Sequence, residues 1–223
     1  MNALFQAALP TRWSEPSQVR LRRFLPELDE VRAALDWSLV RAPVLHASLV
    51  AHSAWLFGAA GQCLEGRNHC RDALKDRGLT LDLSVQAQLH HELGVLLHDD
   101  SSKQKVDMAR AAVALFRRCG NEAGLFSALG RLTISASLCD DTETAAQAVQ
   151  EMTRLWEDHE AQPVPWPPLA YWDLLNACDY EANLCGRLDE GKALAQAQKE
   201  LAEEAGDTFR QMFAMMAEEQ CTA

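Results

Sequence analysis

The chain has 223 residues, 48% hydrophobic and 24% charged, a balance that supports a folded core and argues against wholesale disorder. With 32 acidic against 21 basic residues the formal net charge is −11, so the average surface repels phosphate backbones and anionic lipid, and no direct nucleic-acid ligand is expected. No run approaches the roughly 18 apolar residues of a membrane span, MNALFQAALPTRW lacks a basic residue ahead of its short apolar stretch, and the seven cysteines include no C-x-x-C pair; a reduced, cytoplasmic chain without membrane insertion is expected.

Residues 1–24 read as a basic N-terminal arm or linker. Arg12, Arg20, Arg22 and Arg23 stand against Glu15 alone, a net +3 at the front of an acidic chain, and a solvated arm or docking surface is expected before a DNA-binding one. Strand signals are nearly absent beyond that point, and residues 25–161 read as continuous helical repeats. A helix opens at Pro26, where the missing N–H has no intrahelical partner to lose; Glu27, Asp29 and Glu30 complement its dipole, and Leu28, Val31, Leu35 and Leu39 form its apolar stripe. Pro43 ends it and begins a second helix with Leu45, Leu49, Trp55 and Leu56, and a third runs from about Leu64 to Asp76.

After RGLTLDL, Ser84 is the expected N-cap of a helix carrying Val85, Leu89, Leu93 and Leu96. Its partner carries Val106, Ala109, Val113 and Phe116 and stops at Gly120. Asn121 caps a helix marked by Leu125, Leu129, Leu132 and Ala136; one with Ala145, Val149, Met152 and Trp156 answers it after Asp141 and Thr142. Each stripe repeats every three or four residues and needs a neighbour to cover it.

Residues 162–168, QPVPWPP, form a proline-rich linker, since four prolines in six residues forbid a continuous helix. Residues 169–223 then read as a final repeat, with Tyr171, Leu174, Cys178 and Ala182 on one helix and Leu194, Ala197, Leu201 and Ala205 on the next. Phe209, Met212, Phe213 and Met216 mark a short closing helix suited to capping the stack. The expected fold is all-α, a right-handed superhelix of about ten helices in antiparallel pairs.

Aligning ELGVLL (92–97) with ALGRLT (128–133) superposes Gly94 on Gly130, 36 residues apart, near the tetratricopeptide period of about 34. A small residue there lets the helices of a pair approach closely. LCDDTETAAQA (138–148) aligns loosely with LCGRLDEGKALAQA (184–197) at an offset of 46, enlarged by the proline linker.

PELDEVRAALDWSL (26–39), WLFGAAGQCLEGRNHCRDAL (55–74) and the stretch from ELGVLL to ARAAVALFRRCGNEAG (92–124) resemble the tetratricopeptide-like repeat region of large bacterial ATP-dependent transcriptional regulators. In that family the repeats follow a STAND-type ATPase, and a LuxR-type or winged-helix DNA-binding domain lies at one end of the chain. The resemblance covers roughly residues 20 to 135 and excludes both of those domains. It implies a sensory, regulatory module that senses an inducer or partner and holds an ATPase, in cis or in trans, in check.

Catalytic signatures are few. Gly61-Gln62-Cys63-Leu64-Glu65-Gly66-Arg67-Asn68 has the glycine spacing of a phosphate loop, but Arg and Asn stand where Lys and Ser/Thr belong and no strand precedes it, so a helix-pair turn is expected. His90, His91 and Glu92 lack the second histidine of a zinc-hydrolase helix, and His91 and His98 alone close no metal site. Cys63/Cys70 and Cys178/Cys185 recur at i, i+7 and read as small apolar core residues. Trp37, Trp55, Trp156 and Trp172 read as packing between helices. No G-x-S-x-G, H-E-x-x-H or G-x-G-x-x-G motif occurs, and neither cofactor nor catalytic residue is nominated.

In a stack of helix pairs the first helix of each pair lines the concave side. Counting three residues before and one or four after Gly94, Gly130 and the equivalent Asn176 selects His91, His98, Ser127, Arg131, Asp173 and Tyr180 as candidate groove residues. They suit a peptide, a protein helix or a small polar inducer better than lipid. A binding module is therefore the leading expectation; a scaffold that self-associates as a homodimer is the alternative, and an enzyme without a recognisable motif ranks third.

Overall fold

The computed structural model describes residues 1–75, 80–97 and 102–220, all helix, turn or loop without a strand. Its helices are α1 (Asn2–Ala8), α2 (Ser17–Phe24), α3 (Leu28–Arg41), α4 (Pro43–Ala59), α5 (Cys63–Lys75), α6 (Leu83–Leu96), α7 (Ser102–Cys119), α8 (Glu122–Ser137), α9 (Thr142–Glu160), α10 (Pro168–Leu184), α11 (Leu188–Glu204) and α12 (Thr208–Gln220), with 3-10 turns at Pro10–Trp13 and Leu25–Glu27. Two compact units divide the chain: residues 1–10 with 21–128, and residues 11–20 with 129–223.

In the first unit α4 is central, packed on α1, α3, α5 and α6. Its sequence contains no charged residue, and ten positions from His46 to Phe57 are buried around its whole circumference, as expected of a helix that is apolar on every side. Two histidines are accommodated there by hydrogen bonds: His46 Nδ1 donates to the Leu35 carbonyl of α3 at 3.1 Å, and His52 Nδ1 lies 2.8 Å from Asn2 Oδ1 on α1. Burial depresses the pKa of both, so the neutral ring is the form that folds. On the surface, Arg32 of α3 grips Glu65 of α5 with two bonds of 2.7 Å, which hold that carboxyl below its ordinary range.

The boundaries follow local chemistry. Gly61 at φ 73° and Gly120 at φ 67° take the left-handed conformation that closes α4 and α7, so the stretch with phosphate-loop spacing begins in the turn after α4 and continues as the first residues of α5. Asn121 Oδ1 accepts from Gly124 N at 2.8 Å and Asp141 from Thr144 N at 3.0 Å, both as expected caps. Ser84 does not cap α6: Asp82 does, accepting from both the backbone N and the Oγ of Ser84 at 2.8 Å.

Close helix approach is enforced at glycines other than the aligned pair. A Cβ on Gly66 would lie 2.8 Å from Phe57 Cβ, and one on Gly124 would lie 2.5 Å from the Phe116 ring. At Gly94 a Cβ would make ordinary contact at 3.4 Å with Met108, and at Gly130 it would meet the flexible end of Met152 at 3.3 Å.

Residues 1–24 are not a solvated arm. Phe5 is fully buried in the first unit, its ring 5.3 Å from Phe24 and 6.3 Å from Trp55. Trp13 is only 3% exposed in the second unit, against Trp166 of the proline-rich segment at 5.4 Å. Trp37 departs from the packing expectation in the opposite direction, lying on the surface beneath the Arg41 guanidinium. The second unit otherwise packs its helices in sequence order, α9 on α10, α10 on α11 and α11 on α12.

Candidate functional site

The six groove candidates fall into different surroundings. His91 is buried on α6 with its ring edge-on to Phe116 at 6.4 Å, packed within the first unit and not presented to solvent. His98 lies outside the described residues. Ser127 is half-buried on the first-unit part of α8, and Arg131 half-buried on its second-unit part. Asp173 and Tyr180, seven residues apart on α10, are also half-buried.

Asp173 is occupied. Its Oδ2 accepts from Trp13 Nε1 at 2.7 Å, and its Oδ1 lies 3.4 Å from the Arg210 guanidinium of α12. Arg210 in turn lies over the Trp172 ring at 5.3 Å and pairs with the fully buried Asp207 at 2.9 Å. Asp207 is the N-cap of α12, accepting from the backbone N of Phe209 and Arg210, and it also receives the backbone N and Oγ of Ser17 at 2.8 Å. Burial alone would raise its pKa, but these donors outweigh it and hold the carboxyl below its ordinary range. The cluster fastens residues 11–20 to α10 and α12. Both carboxylates in it are matched by donors, so the arrangement serves structure better than proton transfer.

Other titratable groups are equally settled. Asp179, 2% exposed on α10, is pushed up to about 6 by burial, against the bond it receives from Asn183. Glu92, beside His91, accepts from Gln88 at 2.7 Å in the first unit's interior. Cys70 is buried, and burial raises its thiol pKa well above the ordinary value, as expected of a core residue. Cys185 is exposed, contrary to the core expectation; its Sγ donates to Glu181 at 3.3 Å, which keeps the thiol protonated. Among the described residues no group of three or more His, Cys, Asp or Glu is placed to share a metal ion.

The feature that stands apart is α12. Phe209, Met212, Phe213, Met215 and Met216 are 44% to 52% exposed, while Ala214 on the opposite side is fully buried. The periodicity of Phe209, Met212, Phe213 and Met216 was legible, but a closing helix should turn that stripe inward. Here Asp207 and Arg210 anchor the other side of the helix against α10 and residue 17, and the stripe faces out. Large apolar residues grouped in this way mark binding surfaces more often than solvated ones. No protein-family model matches the chain, and no curated protein matches it in sequence.

Proposed function

We propose that the chain is a protein-binding helical-repeat module of tetratricopeptide-like, right-handed superhelical form, and that it serves as the sensory part of a bacterial transcriptional regulator. The observation that carries binding is the outward Phe/Met stripe of α12, which has polar anchors on its inner side and stays 44% to 52% exposed on its outer side. Support for the repeat form comes from the second unit's helices, α9 to α12, which pack in sequence order, and from glycine-closed turns at Gly61, Gly120, Gly186 and Gly206. Support for the regulatory role is the likeness of residues 26–39, 55–74 and 92–124 to the repeats of ATP-dependent regulators. A protein partner is the first expectation and a small-molecule inducer the second, with an ATPase supplied in cis or in trans. Among the described residues, no helix is long and apolar enough to cross a membrane.

The test is to measure ATP hydrolysis by a STAND-type ATPase from the same genome with and without this chain. Wild-type protein should slow turnover, and Phe213→Ser with Met216→Ser on α12 should relieve the inhibition. Unchanged turnover with every such ATPase would sink the regulatory role. The same stripe also supports self-association as a scaffold, and light scattering over a concentration series tests it, because a persistent monomer removes that reading.

A further inference from the structure

We propose that the exposed face of α12 docks a basic amphipathic helix of another protein, one whose apolar stripe is flanked by lysine or arginine; this rests on the binding-module reading and adds the partner's chemistry. Phe209, Met212, Phe213 and Met216 recur at the three- and four-residue steps that place side chains on one side of a helix, and Met215 widens the strip. A second helix laid against such a strip covers it with its own i, i+3, i+4, i+7 residues. Three methionines beside two phenylalanines make the surface adaptable, because an unbranched thioether refills gaps against differing partners.

The charges around the strip choose among occupants. Glu219 is exposed one turn beyond Met216 on the same face. Glu203 and Glu204 are exposed where α11 ends, and Gln211 Nε2 holds Glu203 beside α12 at 2.9 Å. Arg210, the one basic residue of α12, is turned inward onto Asp207 and Asp173 with its side chain 12% exposed, so it neutralises nothing at the rim. The lysines nearby on α11, Lys192 and Lys199, are outnumbered on that helix by five carboxylates. A second copy of this chain would bring the same acidic rim to the interface, and an acidic helix would be repelled. A helix flanked by Lys or Arg gains attraction at both ends of the strip.

The experiment titrates three labelled 18-residue helical peptides into the full chain and reads fluorescence anisotropy. All three carry the same Leu/Phe stripe, flanked by Lys, by Gln or by Glu. The lysine peptide should bind tightest, by roughly tenfold over the glutamine peptide, and should weaken as salt rises. Phe213→Ser with Met216→Ser should cost about tenfold or more with either peptide, since both side chains lose their apolar contact. Glu203→Gln with Glu219→Gln should erase most of the lysine preference while leaving the glutamine peptide unaffected. All four substitutions lie on exposed positions, and circular dichroism with a melting curve checks that the fold is retained.

If no peptide binds, the apolar strip is not a docking face and the binding-module reading fails with it. If the glutamine peptide binds as well as the lysine peptide, or the glutamate substitutions change nothing, the basic partner is overturned while the docking face stands. Binding of the lysine peptide that survives Phe213→Ser with Met216→Ser places it elsewhere on the acidic surface and overturns the proposal. A dimer in light scattering that these same substitutions split into monomers makes a second copy the occupant, with the same consequence.

Discussion

Gly66 and Gly94 both lie in helices, yet a methyl group meets different surroundings at each. At Gly66 it would come within 2.8 Å of Phe57 Cβ, an atom fixed to the α4 backbone, so the two helices must separate. Replacing a central helical glycine by alanine gains up to about 1 kcal/mol of helix propensity, against roughly 1–3 kcal/mol for overpacking. Gly66→Ala should therefore destabilise the protein in urea unfolding, whereas Gly94→Ala, whose nearest neighbour is Met108 at 3.4 Å, should be neutral or mildly stabilising. The 36-residue spacing of Gly94 and Gly130 was readable in the sequence, but the position where space is short was not, because that depends on which neighbour lies opposite. Asp179 makes a second prediction at this scale. Its carboxyl is held near pKa 6 in the folded chain against 3.8 ordinarily, so between those values the unfolded chain releases a proton that the folded chain keeps. Stability therefore falls as pH rises through that window, by up to about 3 kcal/mol, and levels off above it. Asp179→Asn keeps an acceptor for Asn183 and should raise the melting temperature at pH 7 while changing it little near pH 3.

At the level of elements, helix boundaries were the most legible part because their signals are local. Pro43, Gly120, Asn121 and Asp141 act through their own backbone or that of residues within three positions, and each stands where its chemistry requires. The sequence points to Ser84 for a role that belongs to Asp82, since two capping residue types two positions apart look alike until the backbone is known. Residues 1–24 look like a solvated arm in the sequence for a different reason: Trp13 is bonded to Asp173 and Ser17 to Asp207, 160 and 190 residues away, and nothing nearby announces either bond. The α12 stripe was likewise visible as a period but not as a direction, because Arg210 and Asp207 decide which side faces in. This gives a prediction about α12. Asp207 caps the helix, holds Ser17 and pairs with Arg210, so Asp207→Asn should cost about 2–4 kcal/mol through the weakened cap and the uncompensated arginine. Its depressed pKa means that the wild-type contribution is complete above the ordinary value of 3.8 and is lost as pH falls through the lower folded value. The difference between Asp207→Asn and wild type, followed by chemical denaturation, should accordingly shrink on acidification below pH 4. A pH-independent difference would show that the cost comes from the cap bonds alone and not from the charge.

For the whole molecule, the sequence conveyed an all-helical chain but not its division into two compact units, because helical periodicity runs through α8 without interruption while the division falls between Ala128 and Leu129. The proline-rich stretch offered a more conspicuous boundary, yet Trp166 within it stacks on His159 at 3.7 Å and meets Trp13, so it is tied into the second unit. Each unit has its own buried residues: Val31, Leu35, Leu56 and Phe57 in the first, Met152, Ala177, Ala182 and Ala202 in the second. A cavity should therefore act locally. Leu35→Ala removes a fully buried side chain and should cost about 2–5 kcal/mol, and hydrogen exchange read by mass spectrometry locates where that cost falls. The expected result is faster exchange in α3 and α4, against which Leu35 and its hydrogen-bonded neighbour His46 pack, with α10 and α11 keeping wild-type protection. Equal acceleration in α10 and α11 would mean that the chain opens as one cooperative body, and the two units would then be a feature of its geometry without thermodynamic independence.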